Sequence, residues 1–160
     1  RSRIFGRHRR LYDDPEQCRE GDCLQGSCLL VRREAAKNML FDESFFLYFE
    51  ETDLCARLRA EGWKVFYFPG ASVVHVGGSG AGFYDRQRIV MFHRSYLVYL
   101  RKHCGLSRRF LFRALLIVRA ILRIVLLGVG ALTIRGRRPE LLDREEGYLQ
   151  TVSLLAGMTR

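Results

Sequence analysis

The sequence predicts an α/β fold followed by amphipathic C-terminal helices, and three observations support this fold class. First, short apolar segments lie between turn-forming residues, as buried strands do; they cover residues 25–31, 64–68 and 72–76. Second, longer segments have helical composition, and a glycine ends each of the first two; they cover residues 50–61, 84–103 and 140–157. Third, residues 108–134 are strongly apolar with arginines at intervals, which marks a second region.

Composition and charge narrow the functional class. The chain has 160 residues and 48% apolar residues, enough for a globular domain with a real core. Its net charge of +10 is uneven, because residues 11–61 hold six basic and twelve acidic side chains while both flanks are basic. A nucleic-acid binder more often shows one continuous basic face, so the acidic middle argues against that class. Basic flanks suit phosphate-bearing ligands and anionic membrane surfaces.

The N-terminus and the cysteines suggest whether the chain is complete and in which redox compartment it lies. The chain begins with Arg1 in a basic run and shows no signal peptide, so we expect that an N-terminal part is missing. Five cysteines are an odd number, which favours free thiols in a reducing compartment. Cys18, Cys23 and Cys28 recur every five residues, but this is not the spacing of zinc ligands, and we interpret them as small buried thiols.

The candidate catalytic residues are Glu50, Glu51 and Asp53, directly after an aromatic run. On a helix, Glu51 shares the apolar face that begins at Leu54, whereas Glu50 and Asp53 lie on another side with Arg57. A carboxylate at the edge of an apolar face is partly desolvated, which raises its pKa and strengthens it as a base. The alternative is that these acids only stabilise the positive end of a helix, as first-turn acids commonly do.

A second candidate site begins at His75, where an apolar segment ends and a glycine-rich loop follows. A neutral imidazole there would bind a divalent metal, and the loop glycines would let the backbone approach a diphosphate closely. The alternative is a hydrogen-bonded structural histidine, since a glycine loop on its own indicates little.

Several ordered motifs resemble the family-2 glycosyltransferases, and among them the bacterial rhamnosyltransferase-like enzymes. The motifs occur in family order within residues 20–105, at residues 26–35, 41–57, 62–69, 74–79, 94–95 and 101–105. The resemblance implies the A-type nucleotide-diphospho-sugar fold. Residues 1–105 would supply its C-terminal part, the second half of a mixed sheet with flanking helices.

The resemblance also implies an inverting transfer from a nucleotide-diphospho-sugar. The family's general base is the second of the paired acids, which is Glu51 here, with Glu50 and Asp53 in support, and its late metal ligand falls on His75. The expected cofactor is a divalent cation, Mg²⁺ or Mn²⁺. The candidate substrate-binding residues are Gly77, Gly78, Ser79, Arg86 and Arg94.

Two departures from the family pattern stand out. The family's Gly-Gly turn before Phe41 is replaced by Met39 and Leu40, and no Asp-x-Asp metal motif occurs in the chain. Hard cations need several oxygen ligands, so His75 would need partners from a missing upstream segment. We therefore expect this chain to be inactive alone.

Residues 106–160 are predicted to be a basic and apolar helical region that associates with the membrane. The uncharged run at 124–134 falls short of the roughly 20 residues that a span needs. Four arginines share an arc of about 120° on a helical wheel; they are Arg109, Arg113, Arg119 and Arg123. This pattern favours a helix in the membrane interface with arginines toward the headgroups. The alternatives are a helix packed on the catalytic domain and a true span.

The sequence thus predicts part of a glycosyltransferase that acts in bacterial cell-surface polysaccharide synthesis, peripheral to the cytoplasmic face of the plasma membrane. Its partners would be the donor, a glycan or polyprenyl-linked acceptor and the membrane surface, but no nucleic acid. The main alternative is a non-catalytic membrane-associated remnant or scaffolding module. A glycosidase is less favoured, because it needs two carboxylates across a sugar cleft, whereas these acids lie at one helix start.

Overall fold

The computed structural model describes residues 14–36, 41–76, 85–133 and 138–157. These residues are mostly helical, with one small antiparallel sheet made of β1 (Arg19–Gly21) and β2 (Val65–Tyr67). The helices are α1 (Arg33–Ala36), α2 (Glu50–Ala60), α3 (Asp85–His103), α4 (Leu106–Thr133) and α5 (Arg138–Gly157). The described residues are consistent with part of an α/β domain, in which the predicted mixed sheet is reduced to two short strands.

Two of the predicted strands are wrong. Residues 25–31 and 72–76 form no strand, and both are largely exposed, with Leu30 and Val74 almost fully so. A strand requires a neighbouring backbone to complete its hydrogen-bond ladder, and apolar β-propensity does not supply one. Within the described residues β2 pairs with β1 instead, a strand whose short polar sequence gave no alternating pattern.

The helices agree well with the predicted segments. Helix α2 covers Glu50–Ala60, and Gly62 follows it with a φ of 88°, the left-handed conformation that ends helices and favours glycine. Helix α3 likewise ends at His103, just before Gly105. The short helix α1 covers Arg33–Ala36.

Helices α3, α4 and α5 share one apolar core. Its buried centre consists of Leu97 and Leu100 from α3, Leu116 from α4 and Leu155 from α5. Helix α5 packs against both other helices. At Gly147 the backbones of α5 and α3 come so close that a Cβ would lie 2.9 Å from the Arg86 Cα. The region beyond residue 105 is therefore packed onto α3.

Helix α4 turns a wide apolar face outward. Its exposed residues on this face recur every three or four positions; they include Leu111, Leu115, Val118, Leu122, Val125, Val129 and Leu132. Among the described residues, α4 is the helix whose length and composition would suffice to cross a membrane, with a mean hydropathy of 2.4 in its most apolar stretch. Only 17% of that stretch is buried by the rest of the chain.

The arginine arc of α4 does not face outward as a unit. Arg109 donates from Nε to the Cys104 carbonyl at 2.6 Å, and Arg113 donates to the Leu155 carbonyl. Both carbonyls lie near helix C-termini, where side-chain donors replace missing intrahelical bonds. The expectation that all four arginines point to headgroups is thus wrong for these two, whereas Arg119 and Arg123 are exposed.

All five cysteines are free thiols. The prediction that Cys18, Cys23 and Cys28 are buried is wrong, because all three lie exposed in the irregular segment around β1. Cys55, on the apolar face of α2, is buried.

Candidate active site

The aromatic run before α2 fixes where the acidic turn begins. Tyr48 and Phe49 have φ values of 67° and 69°, a left-handed conformation that costs roughly 1–3 kcal/mol per non-glycine residue. The Phe49 ring is held in an aromatic cluster on α3, with ring centroids 5.1–5.6 Å away. Ser95 on α3 donates from Oγ to the Leu47 carbonyl at 2.7 Å. These contacts to α3 offset the strain and place Glu50 at the first turn of α2.

Glu51 lies half-buried against the loop around Gly26. A Cβ on Gly26 would lie 3.5 Å from the Glu51 Cβ, so the backbone there passes close to the side chain. Burial raises the pKa of Glu51, and the charge of Glu50 raises it further, while the backbone N–H groups of Glu51 and Gly26 partly oppose this. Within the described residues, Oε2 of Glu51 is buried without a hydrogen-bond partner. The prediction that Glu51 is a partly desolvated carboxylate is confirmed.

Glu50 has a similar orphaned atom. Its Oε2 is also buried and has no partner in the part of the chain that the structure describes. Two adjacent carboxylates with unsatisfied oxygens are unusual, because a buried acceptor without a hydrogen bond costs stability. Such a pair in one helical turn is typical of a site that receives a donor from a ligand.

Asp53 is fully buried and is bound by two cationic side chains and a histidine. Its Oδ2 accepts from Arg57 Nε at 2.7 Å, and its Oδ1 lies 2.7 Å from Lys102 Nζ and 2.8 Å from His103 Nε2. Burial alone would raise the pKa of Asp53, but hydrogen bonds from these three side chains lower it overall. Asp53 is therefore an ionised anchor rather than a base.

Lys102 extends this anchor to the segment before α2. Its Nζ lies 2.6 Å from Oδ2 of Asp42 as well as 2.7 Å from Asp53. Hydrogen bonds from Lys102 and Ser44 hold the pKa of Asp42 well below its usual range. Sequence reasoning included Lys102 and His103 in a family motif but not in the site, because they lie 49 to 60 positions beyond the acids they bind. The adjacent basic residues at the end of α3 were the available signal.

The predicted metal ligand His75 lies after β2, just before the glycine-rich loop. His75 is exposed in irregular chain, and the described residues contain no cluster of three side chains that could hold a metal. A metal at His75 therefore does not fit the ligands in the described part of the chain. Gly77, Gly78 and Ser79 lie outside the described residues.

The two predicted substrate-binding arginines are both on α3. Arg86 Nη1 pairs with Glu146 Oε2 on α5 at 2.8 Å, and its backbone N–H donates to Asp143. Arg94 is exposed next to the buried Ser95. Neither position tests the assignment, which stays a prediction.

Comparison with known proteins places this acidic turn in a family. Residues 17–89 match the model of Glycosyltransferase like family 2. This segment belongs to that family. The glycosyltransferase segment includes Glu50, Glu51 and Asp53, together with His75, while α4 and α5 lie beyond it.

Two curated relatives are similar over half of the chain. Both are named N-acetylglucosaminyl-diphospho-decaprenol L-rhamnosyltransferase, from the CDC 1551 / Oshkosh and H37Rv strains of Mycobacterium tuberculosis. Each is 39% identical over 84 residues, which is 51% of this chain and 27% of the relative. The chain thus spans about a quarter of the length of these glycosyltransferases. No solved structure gives a significant match.

Proposed function

We propose that this chain contributes the general base of an inverting sugar transfer, from a nucleotide-diphospho-sugar to a glycan or lipid-linked acceptor. The observation that carries the proposal is the Glu51 carboxylate. It lies in the family segment, its pKa is raised by burial, and one of its oxygens lacks a partner among the described residues. A base needs all three: a position in the site, proton affinity, and an atom free to accept.

In this reaction Glu51 accepts the proton of the acceptor hydroxyl while the hydroxyl oxygen attacks the anomeric carbon. The bond from that carbon to the donor phosphate breaks, and the nucleoside diphosphate leaves with the bonding electron pair. One displacement on the face opposite the leaving group inverts the anomeric configuration. The raised pKa of Glu51 strengthens its attraction for the proton, provided that the carboxylate is ionised at the working pH.

Asp53 takes the supporting role. Each of its oxygens already accepts from a cationic side chain, so it has little capacity to take a further proton. Its contacts with Lys102 and His103 hold the first turn of α2 against the end of α3. Rigid placement matters because misplacing a catalytic group by about 1 Å can cost roughly 10²-fold in rate.

We further propose a lipid-linked acceptor and a position at the cytoplasmic face of the bacterial plasma membrane, in cell-surface polysaccharide synthesis. The name of the two relatives includes a lipid-linked sugar, N-acetylglucosaminyl-diphospho-decaprenol. The exposed apolar face of α4 suits contact with lipid. A divalent cation remains part of the proposal. Its ligands besides His75 would have to lie outside the described residues. The proposed proton transfer to Glu51 does not depend on the cation.

The test compares two isosteric variants in a form of the protein with measurable transferase activity. Glu51→Gln should retain nucleotide-sugar binding but lower turnover by roughly 10²–10⁴-fold, the usual contribution of a general base. Glu50→Gln removes the same charge one residue away and should lower turnover far less. Near-normal turnover in Glu51→Gln would remove Glu51 from the mechanism.

A non-catalytic membrane module is the second candidate function. It is favoured by the exposed apolar face of α4. If the complete protein binds membranes but transfers no sugar from any nucleotide-diphospho-sugar tested, this second function is the better account.

A further inference from the structure

A cavity of about 310 Å³ opens between the three long helices, on the side of α3 that faces α4 and α5. Its lining comes from the aromatic run before α2 and from all three helices. The polar lining residues are Tyr48, Arg88, His93, Arg119, Arg144 and Tyr148, with Asp85 at one edge. Neither the base nor its anchor residues line this cavity.

The cavity is strongly basic. Three guanidinium groups from three different helices line it, against one carboxylate, that of Asp85. Asp85 Oδ2 lies 3.5 Å from Arg144 Nε, and both side chains are half exposed, so this pair is weak. Arginine presents a planar fork of donors that matches phosphate oxygens, and three of them around one cavity favour a multiply charged anion.

His93 provides an independent indication of a ligand. Its side chain is only 2% exposed, Nδ1 lies 2.7 Å from the Ile89 carbonyl, and Nε2 is buried without a partner among the described residues. Nδ1 therefore carries the proton that it donates to Ile89. Burial lowers the pKa of His93, and the charge of Arg119 lowers it further. The negative charge of a bound anion would oppose both effects by raising the pKa of His93, and a protonated Nε2 would then donate to it.

We propose that this cavity binds a diphosphate group carried by a lipid, and so holds the anchor of the acceptor. The inference rests on the proposed transferase function and extends it to a second subsite. Arg88, Arg119 and Arg144 bind the phosphate oxygens, and the His93 imidazole completes their coordination.

Two placements favour a lipid diphosphate over a soluble one. Arg119 lines the cavity from α4, directly next to Val118 in the exposed apolar face, so a hydrocarbon chain can lie along α4 while its diphosphate enters the cavity. Tyr48 also lines the cavity and lies three residues before Glu51, so their Cα atoms are at most about 11 Å apart. A sugar attached to the diphosphate can therefore extend toward the base.

The experiment measures binding to the full chain by calorimetry, without turnover. The probes are farnesyl diphosphate, inorganic diphosphate and uridine diphosphate. Farnesyl diphosphate should bind most tightly, and Arg119→Gln should weaken its binding by about tenfold or more, as expected for one lost charged hydrogen bond. Arg123→Gln is the matched control, because it removes the same charge one turn further along the exposed side of α4. Circular dichroism checks that both variants remain folded.

Three results would overturn the proposal. One is equal weakening in Arg119→Gln and Arg123→Gln, which would indicate general charge attraction. Another is binding of uridine diphosphate that exceeds that of farnesyl diphosphate and depends on Arg119, which would assign the cavity to the donor. The third is no saturable binding of any probe. Because Glu51 takes no part in this measurement, its outcome is separate from the test of the base.

Discussion

The proposed catalytic role of Glu51 and the stability of the fold favour opposite environments for this side chain. A base is useful when its carboxylate is desolvated and one oxygen is left without a protein donor, and both conditions hold here. Both conditions lower the stability of the fold, because an ionised carboxylate loses hydration when it is buried. Unsatisfied charged groups of this kind cluster at functional sites for that reason.

Glu51→Gln should therefore raise the free energy of unfolding at neutral pH. The pKa of Glu51 is higher in the folded than in the unfolded chain, so its ionised form destabilises the fold above the folded pKa. The gain should shrink as pH falls and vanish below the ordinary glutamate pKa of about 4.3, where both states are protonated. Urea unfolding of both proteins at several pH values measures it. A variant less stable than the parent at neutral pH would mean that Glu51 is satisfied in the fold.

The helical wheel was sufficient to find Glu51, because the position of a side chain on a helix face follows from local geometry alone. It could not show that Oε2 lacks a partner, since that depends on the loop around Gly26. His93 was missed entirely as a candidate. Its orphaned Nε2 becomes evident only when the residues around α3 are in place.

Among the elements, α2 and α3 are tied together by the ion cluster around Asp53. Buried ion clusters rarely add much stability compared with apolar packing, but removing one partner strongly lowers the stability of the fold. Removal of the Asp53 charge would leave Lys102 and His103 without their shared partner in the cluster. The cluster thus fixes the orientation of the acidic turn.

Asp53→Asn should lower the free energy of unfolding by about 3–5 kcal/mol, the usual cost of breaking a buried ion pair. The pKa of Asp53 is lower in the folded chain, so its contribution is present above the unfolded value of about 3.9 and is lost as pH falls through the folded pKa. Asp22→Asn is the control. It removes an exposed pair with Arg59 at 3.0 Å and should cost no more than about 1 kcal/mol. Equal losses in denaturant unfolding would contradict the anchoring role.

The helix ends were predicted more accurately than the strands, because the two depend on interactions of different range along the chain. Helix ends followed from local signals such as the Gly62 conformation, whereas strands depend on partners distant in sequence. Residues 25–31 have the apolar composition of a strand but no partner among the described residues, and β1 pairs despite a polar sequence. The same limit applies to Arg109 and Arg113. A helical wheel predicts on which side of α4 they lie, but not the carbonyls to which they donate.

For the whole molecule, the unusual feature is that α4 packs on its own domain by one face and exposes a second apolar face. Packing and membrane contact were treated as alternatives from the sequence, yet a helix with two apolar faces can do both. At 28 residues α4 is about 42 Å long, more than the roughly 30 Å of a bilayer core. We expect the salt-sensitive part of the proposed membrane binding to come from Arg119 and Arg123, which are exposed.

Vesicle flotation should recover the full chain with anionic vesicles and partly release it at high salt. A double variant, Leu122→Glu with Val125→Glu, should abolish recovery, because each charge would enter the apolar face that contacts lipid. Leu149→Glu, on an exposed position of α5, should leave recovery unchanged. Loss of both arginines should cost about 1 kcal/mol each. Equal recovery of all variants in the soluble fraction would contradict membrane contact through α4, and recovery that is insensitive to alkaline extraction would indicate a span.

The central claim, that Glu51 is the general base, is tested most directly by the pH dependence of kcat/KM in an active form of the protein. The account predicts an acidic limb, in which activity rises with pH as Glu51 loses its proton, with a midpoint above the ordinary glutamate pKa because burial raises that of Glu51. Glu51→Gln should lose this limb together with most of its turnover, while Glu50→Gln should keep both. An acidic limb that persists unchanged in Glu51→Gln, at near-parental turnover, would show that another group takes the proton.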